Sequence, residues 1–130
     1  MLDLDNFKAI NDTYGHPAGD ALLTQVGSVI KGSVRNVDQV FRYGGDEFII
    51  ILPQTTGEAA YTAAERVRVQ IAEAMEKKEI TVTASIGLVN YPMDGVVADK
   101  LVDVVDKALY HAKPAGGNQI ILASSVLSKE

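Results

Sequence analysis

Cysteine is absent from the 130 residues. Its absence excludes a disulfide framework and any thiolate-ligated metal site, and it fits a reducing, cytoplasmic setting. Cationic residues are outnumbered: 12 Lys and Arg stand against 17 Asp and Glu, a formal charge of −5. That balance argues against nucleic acid as a partner held by a broad basic surface, and it requires any phosphate ligand to be met by a metal ion or a few placed cations. No apolar run approaches the roughly 20 residues of a membrane-spanning helix, so no membrane contact by this domain is expected. There is no Walker-type glycine loop, internal repeat, low-complexity tract or linker. What is present is 47% hydrophobic residues, enough for one core, so residues 1–130 are expected to form a single domain.

The opening "MLDLD" alternates apolar and acidic residues but supplies only two or three residues of strand, where about 5 to 6 is usual. It reads as the tail of a strand that begins upstream. A short helix is expected over "NFKAINDTYG". Leu22, Leu23, Val26, Val29 and Ile30 then recur at spacings of three and four, one face of a second helix. "QVFRY" and "EFIIIL" flank "GGD" as a β-hairpin. Thr55, three residues before Glu58, suggests a capping box opening a long helix with Ala60, Ala64, Val67, Ile71 and Met75 on one face. "ITVTASIGLVNYP" reads as a strand ended by Pro92. Leu101, Val104, Val105, Ala108, Leu109 and Ala112 mark a further helix, and "NQIILA" closes with a short strand. The embedded βαββαβ order predicts an α/β (α+β) chain: a ferredoxin-like or palm-type central sheet, plus an extra helix and strand, with helices packed around it.

Candidate chemistry concentrates in two places. "DLDNFKAINDTYGHPAGD" holds Asp3, Asp5, Lys8, Asn11, Asp12, His16 and Asp20. Asp3 and Asp5 share a face if strand pairing reaches Asp5, at the C-terminal strand end where open α/β sheets place ligands. The other place is "RYGGDEF", where Gly44 and Gly45 precede Asp46 and Glu47. Glycine there permits positive φ and close backbone approach, so the stretch is either a plain charged hairpin tip or a tip holding a carboxylate against a ligand. If the first strand and the hairpin are sheet neighbours, Asp3 and Asp46 can share a divalent cation, Mg²⁺ or Mn²⁺, bridging to phosphates.

Taken together, "DLDNFKAINDTYGHPAGDALL", "RYGGDEF", "ASIGL" and "DKALYHAKPAGGN" resemble the GGDEF family, diguanylate cyclases that condense two GTP into cyclic di-GMP and pyrophosphate. The resemblance implies that Asp3 and Asp46, with the main-chain carbonyl of Leu4, hold two divalent cations per active site. Two-metal chemistry would activate the ribose 3′-hydroxyl and neutralise the α-phosphate as pyrophosphate leaves. Glu47 matches a supporting contact, and which of Asp46 and Glu47 serves as base stays open. Asn11 and Asp20 match guanine readers, since a carboxylate accepts from guanine's N1 and amino protons while an amide meets its acceptor edge. Asp20 is also read as a helix cap. Lys8 and Lys113 match phosphate contacts, alongside the backbone around Asn6 and Phe7 and the hairpin Gly44 and Gly45. "RNVD" resembles the family's product-inhibition site, with Arg35 and Asp38 joined by Arg66 and cyclic di-GMP as the inhibitor.

Two departures stand out. Gly117 occupies the place of an arginine that in the family would contact the terminal phosphate, a loss of about 1.5 to 3 kcal/mol for one charge-assisted hydrogen bond. The helix and strand start that precede "DLD" in the family are absent from this sequence. The resemblance implies an N-terminally truncated domain from a longer, cytoplasmic or membrane-tethered parent with an upstream sensory or receiver domain, and a homodimer as the working species. The alternative is a weak or inactive GGDEF domain that binds GTP or cyclic di-GMP as a regulatory module.

Overall fold

The computed structural model describes residues 1–112 and 116–127. Along the chain run β1 (Leu2–Leu4), α1 (Phe7–Tyr14), α2 (His16–Ser33), β2 (Gln39–Arg42), β3 (Glu47–Ile51), α3 (Gly57–Glu76), β4 (Ala84–Leu88), α4 (Ala98–Ala112), β5 (Ile120–Leu122) and α5 (Ala123–Leu127). One sheet holds the strands in the order β2-β3-β1-β4-β5. The first four pair antiparallel, the ferredoxin-like arrangement expected from the element order. β5 joins β4 in parallel, a pairing no tight turn can close, and α4 makes the crossover.

The helical stripes read from the sequence are the ones that pack. Leu22, Leu23, Val26 and Ile30 of α2 and Ala60, Ala64, Val67, Ile71 and Met75 of α3 are buried with Leu2, Leu4, Phe48, Ala84, Ile86 and Leu88 of the sheet. Ser85 and Gly87 alternate to the other face, where the space beside Gly87 is filled by Val105 and Leu109 of α4. β4 is therefore buried on both faces, so it lacks the half-polar alternation of an exposed strand. Each fully buried Val, Leu or Ile contributes roughly 1.5–3 kcal/mol of transfer free energy. Among the described residues, no helix is long and apolar enough to cross a membrane.

Three local expectations are corrected. The cap of α3 is Thr56, whose hydroxyl accepts from Ala59 N–H at 3.2 Å, rather than Thr55. The Thr55 hydroxyl is instead engaged with the Pro53 carbonyl and the Arg35 guanidinium. Strand β4 covers only Ala84–Leu88 of the longer β-rich run, and the chain after β5 continues into α5. Asp20 lies inside α2, which begins at His16 with proline in its first turn, so it caps nothing.

Candidate active site

β1 sits between β3 and β4, and this places its C-terminal end beside the start of β3. Asp3 stands opposite Glu47 in register, and Leu4 N–H donates to the Asp46 carbonyl at 3.2 Å. The first acidic segment and the hairpin are thus sheet neighbours. The hairpin tip closes through Tyr43 N–H donating to the Glu47 carbonyl at 2.8 Å. Arg42 folds over it, donating to the carbonyls of Gly44 at 3.3 Å and Gly45 at 2.9 Å, a role that sequence reasoning missed. Neither Gly44 nor Gly45 has positive φ, contrary to the expectation for this turn. A Cβ on Gly44 would stand 2.6 Å from a Glu47 carboxylate oxygen, so a side chain there would push the Glu47 carboxylate aside.

The turn from β1 into α1 is made by Asn6, in left-handed conformation with φ 61° and ψ 22°. It aims the first turn of α1, whose leading N–H groups have no intrahelical acceptors, across the end of β1. Phe7 is buried and anchors that turn, while Asn6 and Lys8 are exposed. One turn on, the Asn11 side-chain oxygen is buried with no hydrogen-bond partner among the described residues. It is held there by close approach of α2: a Cβ on Gly19 would lie 1.8 Å from that oxygen and 3.2 Å from the Phe7 ring. Asp20, next along α2, is exposed. Gly19 is a residue that sequence reasoning missed, because a helix-interior glycine carries no local sign of what it packs against.

Asp5 departs from the pattern set by Asp3. It is 7% exposed, and its carboxylate accepts from the Thr83 hydroxyl at 2.7 Å, the Ser85 hydroxyl at 2.7 Å and Asn118 N–H at 2.8 Å. Gly117 has φ +69°, a conformation that L side chains rarely adopt, and it rests against the Asp5 carboxylate. Lys113 lies outside the described residues.

A separate groove, of about 400 Å³, brings Arg35, Asp38 and Arg66 together with Thr55 and Thr62 over a floor that includes Leu52, Ala59 and Ala63. Arg35 pairs bidentately with Asp38, Nη2 to Oδ1 at 2.8 Å and Nε to Oδ2 at 3.2 Å, and Arg35 N–H also donates to Oδ2 at 2.8 Å. Its Nη2 further reaches the Pro53 carbonyl at 2.9 Å and Thr55 Oγ1 at 2.8 Å. These hydrogen bonds hold the buried Asp38 carboxyl below the usual carboxylate range. Arg66 donates from Nε to the Ser33 carbonyl at 2.8 Å.

Among the described residues, no group of three or more acidic or histidine side chains is spaced to cage a metal. The sheet register does make neighbours of Asp3, Leu4, Asp46 and Glu47, whose donors are carboxylate and main-chain oxygens. All are hard oxygens. Mg²⁺ is commonly held by one or two carboxylates with substrate phosphates completing its shell, so this sparse donor set fits such an ion bound together with a nucleotide.

The chain is 46% identical over 132 residues to diguanylate cyclase A of Treponema denticola, covering 99% of this chain and 36% of that protein. It therefore spans about a third of that relative's length. Among solved structures it resembles the active GGEEF domain of a diguanylate cyclase from Vibrio cholerae, with TM-score 0.81 and 32% identity over 94% of this chain and 79% of that one. It equally resembles the GGDEF domain of DgcB from Caulobacter crescentus in complex with c-di-GMP, with TM-score 0.81 and 30% identity over 95% and 75%. A family profile described as "Diguanylate cyclase, GGDEF domain" matches residues 1–119, a span holding the β1 end, the hairpin tip and the Asn11 pocket. On these matches, and on the sheet order that joins those three features, the chain belongs to the GGDEF domain family.

Proposed function

We propose that this chain is the catalytic domain of a diguanylate cyclase, joining two GTP into cyclic di-GMP and two pyrophosphates. The observation that carries the reading is the sheet order, which sets Asp3 against the "GGDEF" hairpin while α1 and α2 enclose the unpartnered Asn11 oxygen. Asn11 and Asp20 read guanine, and the first turn of α1 with Lys8 holds the phosphates, assisted by Lys113. Asp3, Asp46 and the Leu4 carbonyl hold two Mg²⁺ or Mn²⁺ ions, with Glu47 in support. Bound there, the ions would lower the pKa of the attacking hydroxyl and offset charge on the phosphates.

Each chain supplies half of the reaction, so the working species is a two-fold symmetric homodimer with the hairpins facing one another. Arg35, Asp38 and Arg66 form a pocket for the product, where bound cyclic di-GMP restrains the enzyme. The parent protein supplies an upstream sensory or receiver domain and holds this domain in the cytoplasm. Incubation of the parent protein with GTP and Mg²⁺ is expected to yield cyclic di-GMP. Product no greater than that of an Asp46→Ala variant would overturn the reading.

One observation favours a second reading, a GGDEF domain that binds nucleotide without turning it over. Gly117 has no side chain to offer a phosphate, and a Cβ there would stand against the Asp5 carboxylate. Calorimetric binding of a GTP analogue with no product formed would select this regulatory reading.

A further inference from the structure

Asp5 lies between the two halves of the candidate nucleotide site, two residues after Asp3 and one before Asn6. Its main chain and side chain act as a clamp. Asp5 N–H donates to the Thr83 carbonyl at 2.9 Å, while the carboxylate takes the hydroxyls of Thr83 and Ser85 and the N–H of Asn118. Asn118, with φ 50°, is braced from the far side by Arg68 of α3, whose Nη1 donates to its side-chain oxygen at 2.8 Å. Gly117 completes the fit, because a Cβ on it would fall between 2.6 and 2.9 Å from three atoms of the Asp5 carboxyl group. Three segments distant in sequence therefore converge on one buried carboxylate: the end of β1, the start of β4 and the loop before β5.

We propose that Asp5 is a positioning residue of the nucleotide site, fixing the β1–α1 turn and locking the 116–118 loop against it, with Gly117 as the only residue this contact admits. The inference rests on the nucleotide-binding reading above and goes beyond it by assigning a role to two residues outside the metal and guanine contacts. The turn at Asn6 is a left-handed, otherwise uncapped entry to α1, so its direction depends on what holds the residue before it. Asp5 supplies that hold. Removing the carboxylate leaves the Asn118 N–H and the Thr83 and Ser85 hydroxyls without their acceptor and releases the loop, whereas an asparagine, with its oxygen toward Asn118 and its amide toward the Ser85 hydroxyl, keeps all three bonds.

The test is calorimetric titration of a non-hydrolysable GTP analogue with Mg²⁺ into wild type and four variants: Asp5→Asn, Asp5→Ala, Gly117→Ala and the Asp5→Ala/Gly117→Ala double. Melting curves establish that each is folded at the assay temperature. Asp5→Ala and Gly117→Ala should each weaken binding at least tenfold, and Asp5→Asn less than threefold. In the Asp5→Ala background, where no carboxyl stands against the new methyl, Gly117→Ala should cost at least threefold less than it does in wild type, the remainder being the strain of alanine at φ +69°, which is common to both backgrounds. A merely structural role gives independent losses, because general destabilisation does not depend on which atom the new methyl meets. Wild-type affinity in Asp5→Ala, or equal losses from Gly117→Ala in both backgrounds, would overturn the positioning role and leave the cyclase reading standing. Failure of wild type itself to bind the analogue would overturn both.

Discussion

Replacing Gly19 by alanine should weaken nucleotide binding while hardly changing stability, against the usual expectation for a helix. In a helix interior alanine is normally favoured over glycine by about 1 kcal/mol. Here the new Cβ would stand 1.8 Å from the Asn11 side-chain oxygen, 2.9 Å from its Cγ and 3.2 Å from the Phe7 ring. Something must move, and the cheapest motion is rotation of the Asn11 amide out of its pocket. The backbone stays in place, so the helix-propensity gain and the lost packing roughly cancel, and unfolding free energy should remain within about 1 kcal/mol of wild type. Binding has no such compensation. An amide that offers guanine two hydrogen bonds at about 1 kcal/mol each loses about 2 kcal/mol when displaced. That corresponds to roughly 30-fold weaker binding. Calorimetry with a GTP analogue and Mg²⁺, alongside thermal melting, reads both quantities. Asn11→Ala should match Gly19→Ala, and the double variant should be no weaker than either. A Gly19→Ala protein with wild-type affinity and a raised melting temperature would show that Asn11 does not depend on Gly19 for its place.

Further expectations follow from the packing and the charges. Arg35 lowers the Asp38 pKa in the folded chain, so the pair's stabilisation is fully present above the unfolded carboxylate value, about pH 4, and is lost as pH falls through the folded value. The melting-temperature gap between wild type and Asp38→Asn should therefore hold steady from pH 7 to about 5 and close below about 4; a gap that widens in acid would contradict the pairing. Ile71 is fully buried between α3 and the sheet, so Ile71→Ala should lower the denaturant unfolding free energy by about 2–5 kcal/mol, and a loss below about 1 would contradict its place in the core. If two chains build one reaction site, cyclase activity should fall faster than linearly on dilution; strict proportionality would count against the dimer.

The features legible in the sequence are those with local period. Stripes such as Ala60, Ala64, Val67, Ile71 and Met75 announce α3 because each lies one turn from the next, and all five are buried. The hairpin around "GGD" is equally local, and the ferredoxin-like order follows from counting elements. Illegible features depend on partners far along the chain. Thr55 has the spacing of a capping residue, yet Arg35, 20 residues upstream, engages its hydroxyl and Thr56 caps the helix instead. Asp5 alternates with Asp3 and reads as a second carboxylate on the ligand-facing strand end, but its acceptors are used by donors 78, 80 and 113 residues away. Gly117 reads from the sequence as a missing cation; its positive φ and its seat against Asp5 supply a positional reason for glycine. The long β-branched run around β4 overstates the strand, because propensity marks residues suited to a sheet without marking where pairing stops.

If Asp3, the hairpin and the Asn11 pocket form one guanine-nucleotide site, manganese anomalous scattering from crystals of this domain grown with a non-hydrolysable GTP analogue will locate it. A manganese peak is expected between Asp3 and Asp46, with the triphosphate over residues 6–8 and the base against Asn11 and Asp20. A bound nucleotide lying elsewhere, or one seated there with no manganese between those carboxylates, would contradict it.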